Sequence, residues 1–251
     1  MTSEDFIYGV RAVCEGIHAG RDIDKIFLKR ESSGPQISEL LSLAQEHNIP
    51  VQRVPVEKLN RITRKNHQGV IALVSAVTYH NLENLVPALY EEGRLPFIII
   101  LDGITDVRNF GAIARTAECA GVDAIVIPET GSVSVGADAV KTSAGALLRL
   151  PVCKVHNLAH AVTYLEENGY QLVAVSEKAS ENYTLADYTK PTALVLGAED
   201  KGISPYIFKA CSTKVAIPMF GDIGSLNVSV AAGVLMYEVV RQRLDANLEV
   251  I

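Results

Sequence analysis

Apolar residues at Val10, Val13, Cys14 and Ile17 recur at helical spacing, and the same spacing returns at Ile37, Leu40, Leu41 and Ala44. A helix is expected over residues 8–18, with Gly20 as its stop. The runs at 25–28, 50–54 and 69–74 read as short strands, so residues 1–75 predict a small α/β unit. From Ser75 to Pro96 the pattern loosens around Asn81, Asn84, Pro87 and Gly93, and a linker is expected over 76–95. Beyond it, at 97–101, 124–127, 172–175, 193–196 and 215–217, apolar runs are too continuous for strands with one wet face. Helical stretches separate them, so residues 96–251 predict a mainly parallel sheet covered on both sides. Ligands of such sheets usually bind beyond the carboxyl ends of the strands.

Composition narrows the function classes. The formal charge is −6 over 251 residues, which excludes gripping of nucleic acid or anionic membrane by a bulk positive field. Residues 1–75 hold 10 basic and 9 acidic side chains, giving +1, whereas 76–251 hold 13 and 20, giving −7. A local basic patch remains compatible with both. Cys14, Cys119, Cys153 and Cys211 are scattered, without metal-ligand or disulfide spacing, so reduced thiols in a cytoplasmic protein and no metal are expected. The start of the chain is acidic before it is apolar, unlike a signal peptide, and the apolar window 228–240 is too short to span a bilayer.

The segments that follow the strands carry the candidate chemistry. No G-x-G-x-x-G turn is present, which counts against a nicotinamide enzyme. After the first strand of the second domain, Asn109 is expected to cap a helix on which Gly111, Arg115 and Glu118 share a polar stripe. A guanidinium beside a bare backbone position suits a phosphate or carboxylate, and a solvated helix face would show the same pattern. Gly197 and Gly202 bracket an acidic turn containing Glu199 and let backbone approach a ligand. The last strand leads through a glycine-punctuated loop to Ser225 and Asn227, either of which can cap the final helix. From 228 to 240 only Ser229, Tyr237 and Glu238 carry polar side-chain atoms, so this helix is expected to be buried on both faces, against the sheet and a second subunit.

Three segments in this order resemble the motifs of the SpoU (TrmH) family of RNA ribose 2′-O-methyltransferases, within the SPOUT superfamily. They are residues 109–115, residues 194–199 with Gly202, and residues 217–219 with 225–233. The start Ile7-Tyr8-Gly9 and the run His67-Gln68-Gly69-Val70 resemble the substrate-binding domain of that family's 23S ribosomal RNA branch, an L30e-like fold. The resemblance implies a trefoil knot in the C-terminal domain, a homodimer through the knot and last helix, and S-adenosylmethionine as cofactor. Carried over by position, cofactor contacts fall on Gly197, Gly202, Ile217, Met219 and Leu226, and catalytic roles on Asn109, Arg115, Glu199, Ser225 and Asn227. Arg115 is expected to clamp a flanking phosphate and stabilise the developing alkoxide, because a guanidinium stays charged and makes a poor base.

The same resemblance turns the basic run of Arg53, Lys58, Arg61, Arg64, Lys65 and His67 into an expected RNA contact, with Arg53, Arg61, Arg64 and Lys65 foremost. From local pattern alone it reads equally as a solvated helix end. The expected activity is 2′-O-methylation of a guanosine in 23S ribosomal RNA. A transfer RNA methyltransferase and a non-catalytic RNA-binding or ribosome-assembly protein are the alternatives.

Overall fold

The computed structural model describes residues 6–248; the acidic start of the chain, read above as unlike a signal peptide, lies largely outside them. Two compact units emerge, one running to Thr78 and including Ser134–Ala139, the other comprising Tyr79–Val133 and the chain from Val140 onward.

In the first unit, β1 (Phe6–Tyr8), β2 (Ile23–Lys29), β3 (Val51–Val54) and β4 (Val70–Val74) form a sheet in the order β1-β4-β2-β3. Strand β4 is antiparallel to β1 and β2, and β3 is parallel to β2. The period-two alternation divides β2: Ile26 and Leu28 join the core that includes α1 (Val10–His18) and α2 (Pro35–Glu46), while Phe27 packs with Leu59 of α3 (Val56–Ile62) on the other face. Strand β1 was not expected, because a helix was read from residue 8. Gly9, at φ +87°, ends the strand and starts α1 one residue later.

The second unit holds an all-parallel sheet of eight strands in the order β10-β12-β9-β11-β6-β7-β8-β5. These are β5 (Tyr79–His80), β6 (Phe97–Asp102), β7 (Ala124–Pro128), β8 (Val152–Val155), β9 (Gln171–Val175), β10 (Glu181–Asn182), β11 (Thr192–Gly197) and β12 (Thr213–Ala216). The five predicted strands are among them. Strands β5 and β10 carry too little pattern at two residues each, and in β8 Lys154 interrupts the apolar run, so the three were missed. The segment 76–95 is not a linker. It contains β5, paired with β8, and α4 (Leu82–Glu91), whose Leu82 and Val86 enter the core. Pro87 sits inside that helix, so the punctuation read there marked no break.

On one face of the sheet, Ile98 and Ile100 pack with α4, α7 (Leu158–Glu167) and α8 (Pro205–Ala210). On the other lie α5 (Val107–Cys119) and α9 (Val228–Asp245), which contact each other, with α9 also on β11. The end of α9 is fixed by buried Arg243, whose guanidinium donates to the carbonyls of Leu95, Pro96, Tyr188 and Lys190 and lies 5.3 Å from the Phe97 ring centroid. Burial lowers its pKa to about 10. Helix α9 is not buried on both faces in the single chain: Val230 and Tyr237 are exposed, and Glu238 is buried in a bidentate bond with Arg241.

Candidate active site

Three loops at the carboxyl ends of β9, β11 and β12 enclose a cleft of about 650 Å³, within the range of small-molecule sites. Gly197, Gly202, Ile217, Met219, Ser225, Leu226 and Asn227, all singled out by sequence, line it. Glu177 and Lys178 were missed, although the rule that pointed to the other loops applies equally to the end of β9.

The loop after β11 is tied down before it meets any ligand. Ala198 bridges Gly202, and the Asp102 carboxylate at the end of β6 accepts from Ser204 N at 2.7 Å. A Cβ on Gly197 would lie 2.1 Å from the carbonyl carbon of Gly202 and from Ile203 N. Glycine is therefore required at 197 by the loop itself, as well as by any backbone contact to a ligand. Gly202 adopts φ +67°, so it supplies the left-handed step of the same turn.

Glu199, projected from this turn, meets two asparagines at the mouth of the cleft. Its Oε1 accepts from Asn109 Nδ2 at 3.1 Å and from Asn227 Nδ2, with Val228 N at 3.5 Å. Asn227 Nδ2 also donates to Asn109 Oδ1 at 3.0 Å. Among the described residues Glu199 Oε2 makes no hydrogen bond, which leaves an acceptor open beside the cleft. Asn227 has a second task as N-cap of α9, where its Oδ1 accepts from Ser229 N at 2.9 Å. Ser225 lines the cleft and caps nothing. Asn109 is not a cap either. Asp106 caps α5, accepting from Arg108 N and Asn109 N at 2.9 Å, which frees the Asn109 side chain for Glu199.

Gly111 and Arg115 fall differently from expectation. A Cβ on Gly111 would lie 2.6 Å from Thr142 Cβ at the end of α6 (Ala137–Thr142), so its missing side chain serves helix packing rather than a ligand. Arg115 is exposed, has no hydrogen bond or ion pair among the described residues, and does not line the cleft. Six residues turn a helix through roughly 600°, which leaves Arg115 about 120° around α5 from Asn109.

In the first unit the expected RNA contacts separate. Arg53 is a structural brace, donating to the carbonyls of Arg30 and Ser32 at 2.8 and 3.1 Å. Among the described residues Arg61 and Arg64 are exposed and make no hydrogen bond or ion pair, and Lys65 Nζ lies 5.8 Å from the Tyr8 ring centroid. Buried His67 accepts from Gly69 N at Nδ1, so Nε2 is the nitrogen that donates to Asn60 Oδ1.

The cleft suits S-adenosylmethionine. Its walls carry the apolar side chains of Leu196, Ile217, Met219 and Val228 for a purine, glycines allow backbone hydrogen bonds, and Glu177, Glu199 and Asp200 outnumber Lys178 and Lys201 toward a cationic sulfonium. Among the described residues no helix is long and apolar enough to cross a membrane, and no group of His, Cys, Asp and Glu could hold a metal.

Residues 96–237 match the SpoU rRNA Methylase family, and residues 6–80 match RNA 2′-O ribose methyltransferase substrate binding. The chain is 37% identical over 239 residues to the putative TrmH family tRNA/rRNA methyltransferase YacO of Bacillus subtilis, covering 95% of this chain and 96% of that protein. Among solved structures it resembles the SpoU methyltransferase AviRb of Streptomyces viridochromogenes, solved with the cofactor AdoMet, at 25% identity and a TM-score of 0.61, over 96% of this chain and 90% of that one. It also resembles the A. aeolicus TrmH/SpoU tRNA modifying enzyme at 33% identity and a TM-score of 0.55, over 66% of this chain and 86% of that one. With the cleft, the three loops and the Asn109–Glu199–Asn227 cluster in place, these matches show that the chain belongs to the SpoU methylase family.

Proposed function

We propose that the chain methylates the ribose 2′-hydroxyl of a guanosine in 23S ribosomal RNA, with S-adenosylmethionine as methyl donor. The observation that carries the reading is the Asn109–Glu199–Asn227 cluster at the mouth of a cofactor-sized cleft, with one carboxylate oxygen uncommitted. S-adenosylmethionine supplies, when bound, a sulfonium methyl open to in-line displacement. Gly197, Gly202, Ile217, Met219 and Leu226, which line the cleft, would hold it through backbone and apolar contacts.

Glu199 Oε2 accepts the hydrogen bond of the ribose hydroxyl, sets the direction from which its oxygen approaches, and takes up the hydroxyl proton as that oxygen gains the methyl and the neutral thioether leaves. Asn109 and Asn227 fix that carboxylate, and Ser225 supplies a hydroxyl on the same side. Arg115 belongs to the same reaction as a clamp for the flanking phosphate. Its place on α5 supports its delivery to the cleft of a second copy rather than its own. A homodimer covering Val230 and Tyr237 of α9 fits that arrangement, as does the trefoil knot expected of the C-terminal segment.

The separate N-terminal unit favours ribosomal over transfer RNA, since the A. aeolicus tRNA modifying enzyme matches only 66% of this chain. The test is a map of ribose methylation in ribosomal and transfer RNA from cells lacking this protein, before and after adding it back. A methyl missing from 23S RNA and restored by the protein is expected. A methyl missing from transfer RNA alone would overturn the substrate, and no change in any RNA would overturn the reaction.

A further inference from the structure

The first unit has a pocket of its own, of about 420 Å³, which is large enough for one small ligand. It lies where β1, β2 and β3 end and β4 begins, and its walls include Lys29, Ser32, Lys65, Asn66, Gln68 and Gly69. The floor is the turn His67-Gln68-Gly69-Val70, closed by Val70 N donating to the His67 carbonyl at 2.9 Å. Both central residues have positive φ, +51° for Gln68 and +80° for Gly69. Such a turn calls for Asn or Gly at its first central position, so glutamine is held there under strain.

The surroundings stabilise this unfavourable choice. His67 accepts from Gly69 N and bonds Asn60, fixing the turn from beneath. A Cβ on Gly69 would lie 2.8 Å from Ser32 Oγ, and one on Gly9 would lie 3.3 Å from Gln68 Oε1. Gln68 is exposed and lines the pocket, with its amide oxygen beside Gly9. Lys29 and Lys65 are the cations that line the pocket, with Lys29 and Glu31 3.8 Å apart, and Arg61 and Arg64 lie within seven residues of its Gln68 in the sequence. Cations beside primary amides and the half-buried Tyr8 ring match the chemistry of a nucleotide, whose phosphate is anionic and whose base edge both donates and accepts.

We propose that this pocket captures one unpaired nucleotide of the RNA, with Lys29 and Lys65 on its phosphate and the Asn66 and Gln68 amides on its base edge. An unpaired nucleotide is favoured because bases in an RNA duplex turn their readable edges into a groove too narrow for side chains. The inference rests on the RNA methyltransferase reading and adds to it the residues that choose sequence.

The test uses the full chain and labelled single-stranded RNA homopolymers of about twelve nucleotides, with a duplex of equal length, each titrated across a salt series. Wild type is expected to prefer one base by about fivefold or more, and single strands over duplex. Gln68→Gly is expected to level that preference while leaving S-adenosylmethionine affinity and the salt slope unchanged. Because glycine relieves the strain, its unfolding midpoint is expected at or above that of wild type. Lys29→Ala with Lys65→Ala is expected to weaken every RNA alike, by about tenfold, and to lower the logarithmic salt slope by about 0.7, the value for one phosphate of a single strand. A wild-type protein without base preference, or a Gln68→Gly variant that keeps it, would overturn the pocket and leave the methyltransferase reading intact. Wild type that binds S-adenosylmethionine and no RNA would overturn both.

Discussion

Asn227 performs two tasks that substitution can separate. Its Oδ1 caps α9 through Ser229 N, while its Nδ2 binds Glu199 and Asn109. Asn227→Ala removes both. Loss of an N-cap costs about 1 kcal/mol, and the exposed contact to Glu199 adds about 0.5–1 kcal/mol, so about 1.5–2 kcal/mol of stability is expected to go. Asn227→Ser keeps an oxygen that caps nearly as well as asparagine and removes only the donors. Its stability is expected within about 0.5–1 kcal/mol of wild type, that range being the lost Glu199 contact.

Methyl transfer should follow the donors rather than the cap. Without Nδ2, Glu199 keeps Asn109 and the long contact to Val228 N, and loses the partner that holds it at the cleft mouth. A misplacement of about 1 Å at a reacting group costs on the order of 100-fold, so both variants should lose turnover on that scale. Urea unfolding gives the stabilities, and transfer of labelled methyl to RNA at saturating S-adenosylmethionine gives the rates. A serine variant with wild-type turnover would refute the role of the cluster. A serine variant as unstable as alanine would refute the cap.

Gly197→Ala must push the backbone of Gly202 and Ile203 aside, because the new Cβ would start 2.1 Å away. A loss of about 2–3 kcal/mol in urea unfolding, with loss of S-adenosylmethionine binding by calorimetry, is expected, and an unchanged midpoint would show that the turn opens freely. Hydrogen bonding from Arg241 holds the Glu238 carboxyl below its ordinary range, so its stabilisation is present above that range and lost as pH falls through the depressed value. Glu238→Gln should flatten this acid limb in thermal unfolding, and an acid limb as steep as that of wild type would remove the pair from the account. Val230→Arg with Tyr237→Glu should yield monomers in sedimentation and abolish methyl transfer, whereas an active monomer would show that Arg115 acts within its own chain.

Long apolar runs settled much of the architecture from the sequence alone. The strands at 97–102, 124–128, 171–175 and 192–197 are buried on both faces, a condition that leaves no polar alternation and that is usual in a parallel sheet covered on both sides. The rule that ligands sit at the carboxyl ends of such strands located the loops bearing Gly197, Ile217 and Asn227. Local chemistry also identified Asn227 as a cap candidate, since capping depends on neighbours in the chain.

Tertiary structure decided the rest, because the deciding partners are distant in sequence. Asn109, Glu199 and Asn227 converge across 90 and 118 residues, so no local pattern could turn Asn109 from a cap into a ligand of Glu199. Gly111 owes its missing side chain to Thr142, a contact that exists only once the chain has packed. The expected linker became a strand and helix because β5 found a parallel partner in β8 and α4 found a core, and pairing of that kind overrides the weak preferences of a two-residue strand and a proline.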